Sequence, residues 1–248
     1  MDILLCGASG QMGKTIAELA GNMDDINIAC GISETEEKGD FPIYDSFDKV
    51  AEKVDGVIDF SSPVLLPRIL EFSVKRNVPA VIATTGHSNE NTDMIKNASR
   101  VIPILFSGNM SLGINVMEYI VKKMAETLTD FDIEIVEKHH NLKKDSPSGT
   151  AKMLFNAANA GRNNQLRELD ARAGFYEKRD KNEVGISAVR AGNIVGEHTV
   201  IFAGTDEVLE IKHTAFSKKI FANGALKAMR FLVNQSAGLY NMSECLQI

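Results

Sequence analysis

The stretch ILLCGASGQMGK, residues 3–14, decides the fold of the N-terminal part of the chain. Its apolar run is followed at once by Gly7, Gly10 and Gly13 and then by a helix-like segment. Glycine lets the backbone turn tightly and approach a pyrophosphate, whose charge is favoured at a helix N-terminus. The spacing is a variant of the dinucleotide-binding fingerprint. The competing interpretation is a purely steric need for glycine in a strand-to-helix turn.

The following hundred residues repeat the alternation of strand and helix. Apolar runs occupy residues 26–32, 57–60, 78–82 and 101–106, and helix-length segments occupy residues 14–20, 63–76 and 89–98. Apolar strands that are separated by helices are typical of a parallel sheet built from right-handed βαβ units. The pattern therefore predicts an α/β fold, with a Rossmann-like, doubly wound parallel sheet domain.

The pattern changes after Asn109. A long helix is predicted over residues 114–127, followed by an alternating strand at 131–135 and short β-rich runs at 185–189, 199–203 and 208–213. Gly192-Asn193 and residues 204–206 look like hairpin connections. Residues 163–182 are polar and predict a surface loop or arm, and residues 220–234 predict an amphipathic last helix. This part predicts an α+β domain with a mostly antiparallel sheet.

Composition excludes several classes of protein. The net charge of -6, from 27 basic and 33 acidic residues, argues against nonspecific nucleic-acid binding. The cysteines Cys6, Cys30 and Cys245 show neither a disulfide framework nor a zinc-ligand spacing. We expect no signal peptide and no membrane span, and hence a cytoplasmic protein.

Three further segments are candidates for cofactor contact. The second strand ends at Ser33, where an acidic residue would bind the adenosine ribose. A serine accommodates a 2′-phosphate better, but Glu34, Glu36 and Glu37 disfavour one, which leaves the choice between NADH and NADPH open. Two loops follow later strands, where ligands bind in this architecture, although simple turn chemistry also explains them. The predicted cofactor-binding residues are Gly7, Ala8, Ser9, Gly10, Gln11, Met12, Ser33, Ala83, Thr84, Thr85, Gly86, Ser107, Gly108, Asn109 and Met110.

The most informative stretch for chemistry is EKHHNLKKDSPSGT, residues 137–150. It combines two histidines and three lysines with a turn that leads into a predicted helix at residues 151–160. Lysine and helix amides suit a substrate carboxylate, and histidine transfers protons near neutral pH. An exposed polar loop is the competing interpretation, and a helix N-cap explains Ser148 without a ligand. We expect no metal, because no second ligand cluster accompanies the histidine pair.

The same stretch resembles the signature E-x-H-H-x-x-K-x-D-x-P-S-G-T of the 4-hydroxy-tetrahydrodipicolinate (dihydrodipicolinate) reductase family. The resemblance extends over nearly the whole chain. It includes the glycine loop and the segments at residues 59–61, 84–86, 109–111, 192–198 and 221–225.

The resemblance implies a homotetrameric enzyme that uses NADH, NADPH or both to reduce a small dicarboxylate, 4-hydroxy-tetrahydrodipicolinate, in lysine and diaminopimelate biosynthesis. It implies a dinucleotide-binding domain at residues 1–109 and 217–248, and a substrate-binding and oligomerisation domain at residues 110–216. His139 and Lys143 would be the catalytic proton-transfer residues. The residues that would bind substrate are His140, Ser148, Gly149 and Thr150.

Two positions depart from the family pattern. Ser33 replaces the acidic ribose ligand, and Ser217-Lys218 replaces a Ser-Arg pair, which keeps the charge and loses bidentate geometry. Another two-domain amino- or imino-acid oxidoreductase and a non-catalytic NAD(H) sensor are the alternative functions. His198 and His213 are interpreted as hydrogen-bonded strand histidines, and the role of Arg190 stays open.

Overall fold

The structure, a computed structural model, describes residues 1–34, 37–170, 172–175 and 178–248. The chain divides into two compact units. The first unit comprises Met1–Leu112 and Lys218–Gln247, and the second comprises Gly113–Ser217 with Ile248. Among the described residues, no helix is both long and apolar enough to cross a membrane.

The elements follow one another in a βα pattern at first and a β-rich pattern later. In the N-terminal part they are β1 (Asp2–Cys6), α1 (Gln11–Ala20), β2 (Asn27–Ile32), β3 (Glu37–Lys38), β4 (Pro42–Tyr44), β5 (Gly56–Asp59), α2 (Leu66–Arg76), β6 (Ala80–Ile82), α3 (Asn89–Ala98) and β7 (Pro103–Phe106). The central part contains α4 (Leu112–Thr127), β8 (Asp132–His139), α5 (Gly149–Gly161), β9 (Arg167–Leu169), β10 (Glu183–Arg190), β11 (Gly196–Ala203) and β12 (Val208–Ala215). The chain ends with α6 (Lys219–Leu232), β13 (Gly238–Tyr240) and α7 (Met242–Leu246).

The sheet of the first unit has the strand order β13-β7-β6-β5-β1-β2-β4-β3. All neighbouring strands are parallel except β3 and β4. Helices α1 and α6 pack against one face, and α2 and α3 pack against the other. The predicted doubly wound parallel sheet is confirmed, and the last helix belongs to this unit.

Strand β1 shows why the sequence predicts this sheet so clearly. Its residues Ile3 and Leu5 lie in the core shared with α1 and α6, whereas Leu4 and Cys6 lie in the core shared with α2 and α3. All four side chains are completely buried. A strand that is covered on both faces has no polar side, so it reads as an unbroken apolar run.

The second unit contains a five-stranded sheet in the order β12-β11-β8-β10-β9. Strand β11 is antiparallel to β8 and β12, whereas β10 is parallel to β8 and β9, so the sheet is mixed. Helices α4 and α5 cover one face, where Ile135, Val200 and Phe202 form the core with them. The prediction of a second, α+β domain is confirmed.

Two local predictions in the second unit are wrong. Gly192-Asn193 is not a hairpin connection, because the strands that it joins, β10 and β11, lie on opposite sides of β8. The segment at residues 163–182 is not entirely a loop, since it contains β9. Ala171, Tyr176 and Glu177 of that segment lie outside the described residues, as does Glu36. The turn at residues 204–206 does connect a hairpin, formed by β11 and β12.

Candidate active site

The glycine loop after β1, here called the cradle, packs so tightly against neighbouring backbone that Gly7 and Gly13 have no room for a Cβ atom. Gly7 has φ +79°, and a Cβ atom there would lie 2.6 Å from the Phe60 carbonyl oxygen. A Cβ on Gly13 would lie 2.3 Å from the Gly7 carbonyl oxygen. No side chain caps the N-terminus of α1 at Gly10. The first turn of α1 therefore offers backbone amides to an anion, and the loop fits a dinucleotide pyrophosphate.

Ser33 lies directly beside this loop. Its hydroxyl group forms a short hydrogen bond with that of Ser9, and its N–H group donates to the Tyr44 carbonyl oxygen at 2.9 Å. The Gly7 and Ala8 N–H groups both donate to the Ile32 carbonyl oxygen, at 2.9 and 3.1 Å. A pair of neutral hydroxyl groups thus lies between the glycine loop and the end of β2.

The other predicted cofactor loops follow β6, which pairs with β5, and β7, which pairs with β6. Because these strands and β1 are parallel, both loops lie at the same carboxyl edge as the glycine loop. At the end of β5, Asp59 is completely buried, and its Oδ1 atom accepts hydrogen bonds from the N–H (2.9 Å) and hydroxyl (2.5 Å) of Ser61. Burial raises the pKa of Asp59. This carboxyl group was outside the predicted cofactor residues.

Glu137 is the centre of the candidate site in the second unit. Its completely buried carboxylate accepts hydrogen bonds from both terminal nitrogens of Arg190, at 2.7 Å, and from the Ser148 N–H group, at 3.0 Å. Burial by itself raises the pKa of Glu137. Hydrogen bonds from Arg190, His139 and the Ser148 amide outweigh that effect, so the pKa lies below its usual value. Glu137 is therefore held as an anion.

The fourth contact of Glu137 is with the ring of His139. The distance from Glu137 Oε2 to His139 Nδ1 is 2.7 Å, and the His139 side chain is 12% exposed. An ionised carboxylate at Nδ1 selects the tautomer that carries its proton there, which leaves Nε2 to exchange a proton with a ligand. The pair has the geometry of a general acid–base group with a buried orienting anion.

Lys143 and Arg190 connect the loop after β8 to this pair. Lys143 Nζ lies 2.8 Å from Asp145 Oδ1, and Arg190 donates to the Asp145 carbonyl oxygen at 2.8 Å. The hydrogen bond from Lys143 lowers the pKa of Asp145. The Lys143 N–H group donates to the His140 carbonyl oxygen at 3.2 Å, so these two predicted residues share one turn.

Ser148 caps α5, and its polar atoms already have partners. Its hydroxyl oxygen accepts the Ala151 N–H at 3.1 Å and lies 3.0 Å from His198 Nε2. The side chain is only 2% exposed. Gly149 is exposed and Thr150 is half-buried in the first turn of the same helix. The structure thus brings His139, Lys143 and the start of α5 into one cluster.

His198 completes the cluster. Its ring lies 5.1 Å from the His139 ring, edge to face, and is 5% exposed. Burial, followed by the nearby His139, lowers the pKa of His198 to about 4, so this ring is neutral near neutral pH. Its Nδ1 atom is buried without a hydrogen-bond partner among the described residues. The prediction of a hydrogen-bonded strand histidine agrees with the place of His198 in β11 and its contact with Ser148.

The sequence alone does not place Glu137 or His198 in the site and leaves Arg190 open, but the structure brings all three into this cluster. The alternation along β8 contains a signal for the first, because Ile133 and Ile135 point to the core and Glu137 occupies the next inward position. A carboxylate on a buried face requires a charged partner. The alternation along β11, with Val200 and Phe202 buried, places His198 inward in the same way. The partner Arg190 depends on strand pairing, which no local pattern gives.

No group of three or more His, Cys, Asp or Glu side chains is arranged to hold a metal within the described ranges. The three cysteines are free and buried.

Comparisons with known proteins cover both units. The family model for the N-terminus of dihydrodipicolinate reductase matches residues 1–110, and the model for its C-terminus matches residues 113–246. The 4-hydroxy-tetrahydrodipicolinate reductase of Caldanaerobacter subterraneus subsp. tengcongensis is 47% identical over 242 residues, which span 98% of this chain and 96% of the relative. The protein of that name from Clostridium tetani is 43% identical over 97% of this chain and 94% of its own length.

Solved structures share the fold. Dipicolinate-bound dihydrodipicolinate reductase from Paenisporosarcina sp. TG-14 superposes with a TM-score of 0.83 at 19% identity, over 98% of both chains. An amine dehydrogenase from Mycobacterium smegmatis has a TM-score of 0.66 at 10% identity, over 98% of this chain and 95% of its own. At these identities the likeness concerns the fold.

Proposed function

Because this chain belongs to the dihydrodipicolinate reductase family, we propose that its two units divide the work of one reaction between cofactor and substrate. The family consists of NAD(P)H-dependent oxidoreductases of lysine and diaminopimelate biosynthesis. Residues 1–109 and 217–248 form the dinucleotide-binding domain. Residues 110–216 form the substrate-binding and oligomerisation domain.

The first domain holds NADH or NADPH along the carboxyl edge of its sheet. The glycine loop binds the pyrophosphate through backbone amides at the start of α1, and Gly7 and Gly13 allow the tight backbone packing of this turn. Ser33 contacts the adenosine ribose, and the loops at residues 83–86 and 107–110 contact the nicotinamide half. The bound cofactor supplies a hydride.

The second domain binds the dicarboxylate substrate. A related structure is described as dipicolinate-bound, and dipicolinate is a planar dicarboxylate of the same ring type. His140 and Lys143 supply positive or polar groups beside the N-terminus of α5, where Ser148 is the N-cap and Gly149 and Thr150 begin the first turn. A helix N-terminus and a lysine together favour a carboxylate.

His139 and Lys143 carry out the proton transfers of the reaction. Loss of water from 4-hydroxy-tetrahydrodipicolinate leaves a conjugated ring, which takes the hydride with its electron pair at one carbon. One proton adds elsewhere on that conjugated system, giving tetrahydrodipicolinate. The Lys143 ammonium donates this one proton beside the reduced centre and is reprotonated from solvent. His139 acts through Nε2 in the loss of water, where it accepts the proton that the ring carbon gives up and returns it to the departing hydroxide.

The observation that carries this proposal is the 2.7 Å contact between Glu137 and His139 Nδ1. A buried anion in that position stabilises the imidazolium that forms when His139 takes a proton, and it fixes the direction of Nε2. A histidine in an ordinary polar loop has no such partner.

We place the protein in the cytoplasm as a homotetramer. Three free, buried cysteines suit a reducing compartment. The face of the second sheet that α4 and α5 leave uncovered exposes Val189 (41%) and Val208 (57%), and copies of the chain can cover it. Molecular mass in solution, measured on the wild type and on Val208→Lys, tests this assembly. A monomeric wild type would contradict it.

The activity is tested by following oxidation of NADH and of NADPH with freshly prepared 4-hydroxy-tetrahydrodipicolinate. We expect oxidation that depends on substrate, and a kcat for His139→Gln that is lower by about 10²–10⁴-fold. Lys143→Ala should lower kcat and raise KM for the substrate, whereas the neighbouring exposed Lys144→Ala should change neither. Folded protein that oxidises neither cofactor would favour an NAD(H) sensor.

A further inference from the structure

We propose that two residues of β11, Gly196 and His198, are positioning residues that hold the His139 ring in its reactive orientation. Gly196 leaves room at Nε2, and His198 supports the edge of the ring. The proposal rests on the role of His139 given above.

Strand pairing brings both residues to His139. β11 is antiparallel to β8, with His198 opposite Glu137 and Glu197 opposite Lys138. Continued by one residue, this register brings Gly196 level with His139. Gly196 and His198 point to the same face of the sheet because they are two residues apart on one strand. Glu137, His139, Gly196 and His198 therefore lie on one face of the sheet.

Gly196 is adjacent to the nitrogen that exchanges the proton. A Cβ atom built on Gly196 would lie 3.1 Å from His139 Nε2 and 3.4 Å from Cδ2. That separation is short for a methyl group and a ring atom, so the ring would have to move by a few tenths of an ångström. The other side of the ring is fixed by Glu137, 2.7 Å from Nδ1. A methyl group at residue 196 would therefore both displace Nε2 and cover it.

His198 holds a second side of the ring. The two imidazoles meet at 5.1 Å with an interplanar angle of 70°. His198 is itself held, since its Nε2 atom lies 3.0 Å from the Ser148 hydroxyl in the cap of α5. Because it is buried and neutral, it supports the His139 ring without repelling the imidazolium form. Glu137, Gly196 and His198 together leave the ring one orientation.

The experiment compares Gly196→Ala and His198→Gln with Phe202→Leu. Glutamine places a polar atom near the position of the histidine Nε2, so the bond to Ser148 is retained while the ring edge is lost. Phe202 lies on the same face of β11 and is completely buried, but it has no part in the site. Phe202→Leu reports the effect of loosening this strand alone.

Two readouts are measured on each folded variant. The first is kcat at saturating substrate and cofactor. The second is the imidazole NMR titration of His139, which is assignable because the chain has five histidines and His139→Gln removes one signal set. We expect Gly196→Ala and His198→Gln to lower kcat about tenfold, by analogy with the cost of small misplacements in active sites. Both should also shift the His139 resonances, whereas Phe202→Leu should lower the Tm and leave both readouts near the wild type.

The outcomes separate this proposal from the one on which it rests. If His139→Gln abolishes turnover while Gly196→Ala and His198→Gln match Phe202→Leu in both readouts, the positioning proposal is wrong and the role of His139 stands. If His139→Gln itself leaves kcat unchanged, the proposed function fails first.

Discussion

The two candidate binding regions are built from different materials. At the carboxyl edge of the first sheet, backbone shape does the work: Gly7 takes φ +79°, and Gly13 sits where a Cβ would lie 2.3 Å from a carbonyl oxygen. In the second unit, charged side chains do the work: Glu137 accepts hydrogen bonds from Arg190, His139 and the Ser148 amide. One region is a tightly packed glycine loop at a helix N-terminus, and the other is a network of ion pairs and hydrogen bonds.

This difference predicts how each region fails. The cradle tolerates changes in its surroundings, but a single methyl group at Gly7 or Gly13 would clash with backbone atoms and displace the loop. A buried charge network tolerates changes in shape and is broken by the loss of a single charge, because the remaining partner is left buried and unpaired.

The largest effect is expected from Glu137→Gln. It removes the anion that orients His139 and leaves Arg190 without its bidentate partner. We expect kcat to fall by about 10²–10³-fold, within the range for loss of general acid–base function. The free energy of unfolding should fall by about 3 kcal/mol. Urea denaturation and steady-state kinetics measure the two effects.

The matched control adds Arg190→Met to Glu137→Gln. It removes the unpaired cation, so part of the lost stability should return while turnover stays low. A double variant that regains turnover as well would show that Glu137 contributes only stability.

The next largest effect is expected on NADH binding, when Gly13→Ala disturbs the cradle. Loss of one or two charge-assisted hydrogen bonds from backbone amides to the pyrophosphate should weaken NADH binding by about 10- to 100-fold. Dipicolinate binding to the second unit should be unchanged, as measured by calorimetry without cofactor. Gly39→Ala is the control, since the nearest atom to its Cβ is 3.9 Å away. Equal losses in both variants would refute the cradle.

A smaller effect concerns pH and stability. The pKa of His198 is about 4 in the folded protein and 6.5 is its ordinary value, so the unfolded chain binds the proton more readily. Stability should therefore fall as the pH drops from 6.5 towards 4, by up to about 1.4 kcal/mol per pH unit. Carboxylates with lowered pKa values, such as Glu137, reduce the free energy of unfolding only when the pH falls below the ordinary carboxyl pKa.

His198→Gln should reduce that slope. Urea denaturation at several pH values between 6.5 and 4.5 measures it in both proteins. Identical slopes would mean that His198 is protonated in the folded state.

The smallest effect concerns cofactor choice. Ser33→Asp replaces the hydroxyl pair with a carboxylate that binds ribose hydroxyls and repels a 2′-phosphate. We expect kcat/KM for NADH, divided by kcat/KM for NADPH, to rise by several-fold to about tenfold. A shift towards NADPH would place the ribose away from Ser33.

What the sequence could predict follows the same division. The doubly wound sheet and the glycine loop are encoded by neighbouring residues, so runs such as residues 3–14 predict them directly. The connection at Gly192-Asn193 was misread because a turn signal does not say which strands pair, and β8 lies between β10 and β11. Arg190 and Glu137 are separated by 53 residues and meet only through strand pairing. Their partnership required the structure.

The most direct test of the account is a double-mutant cycle in kcat with Glu137→Gln, His139→Gln and both together. If Glu137 acts through His139, its loss matters only while the histidine is present. The double variant should then be no slower than His139→Gln alone. If the two losses multiply instead, Glu137 and His139 act independently, and the pair is not the catalytic unit proposed here.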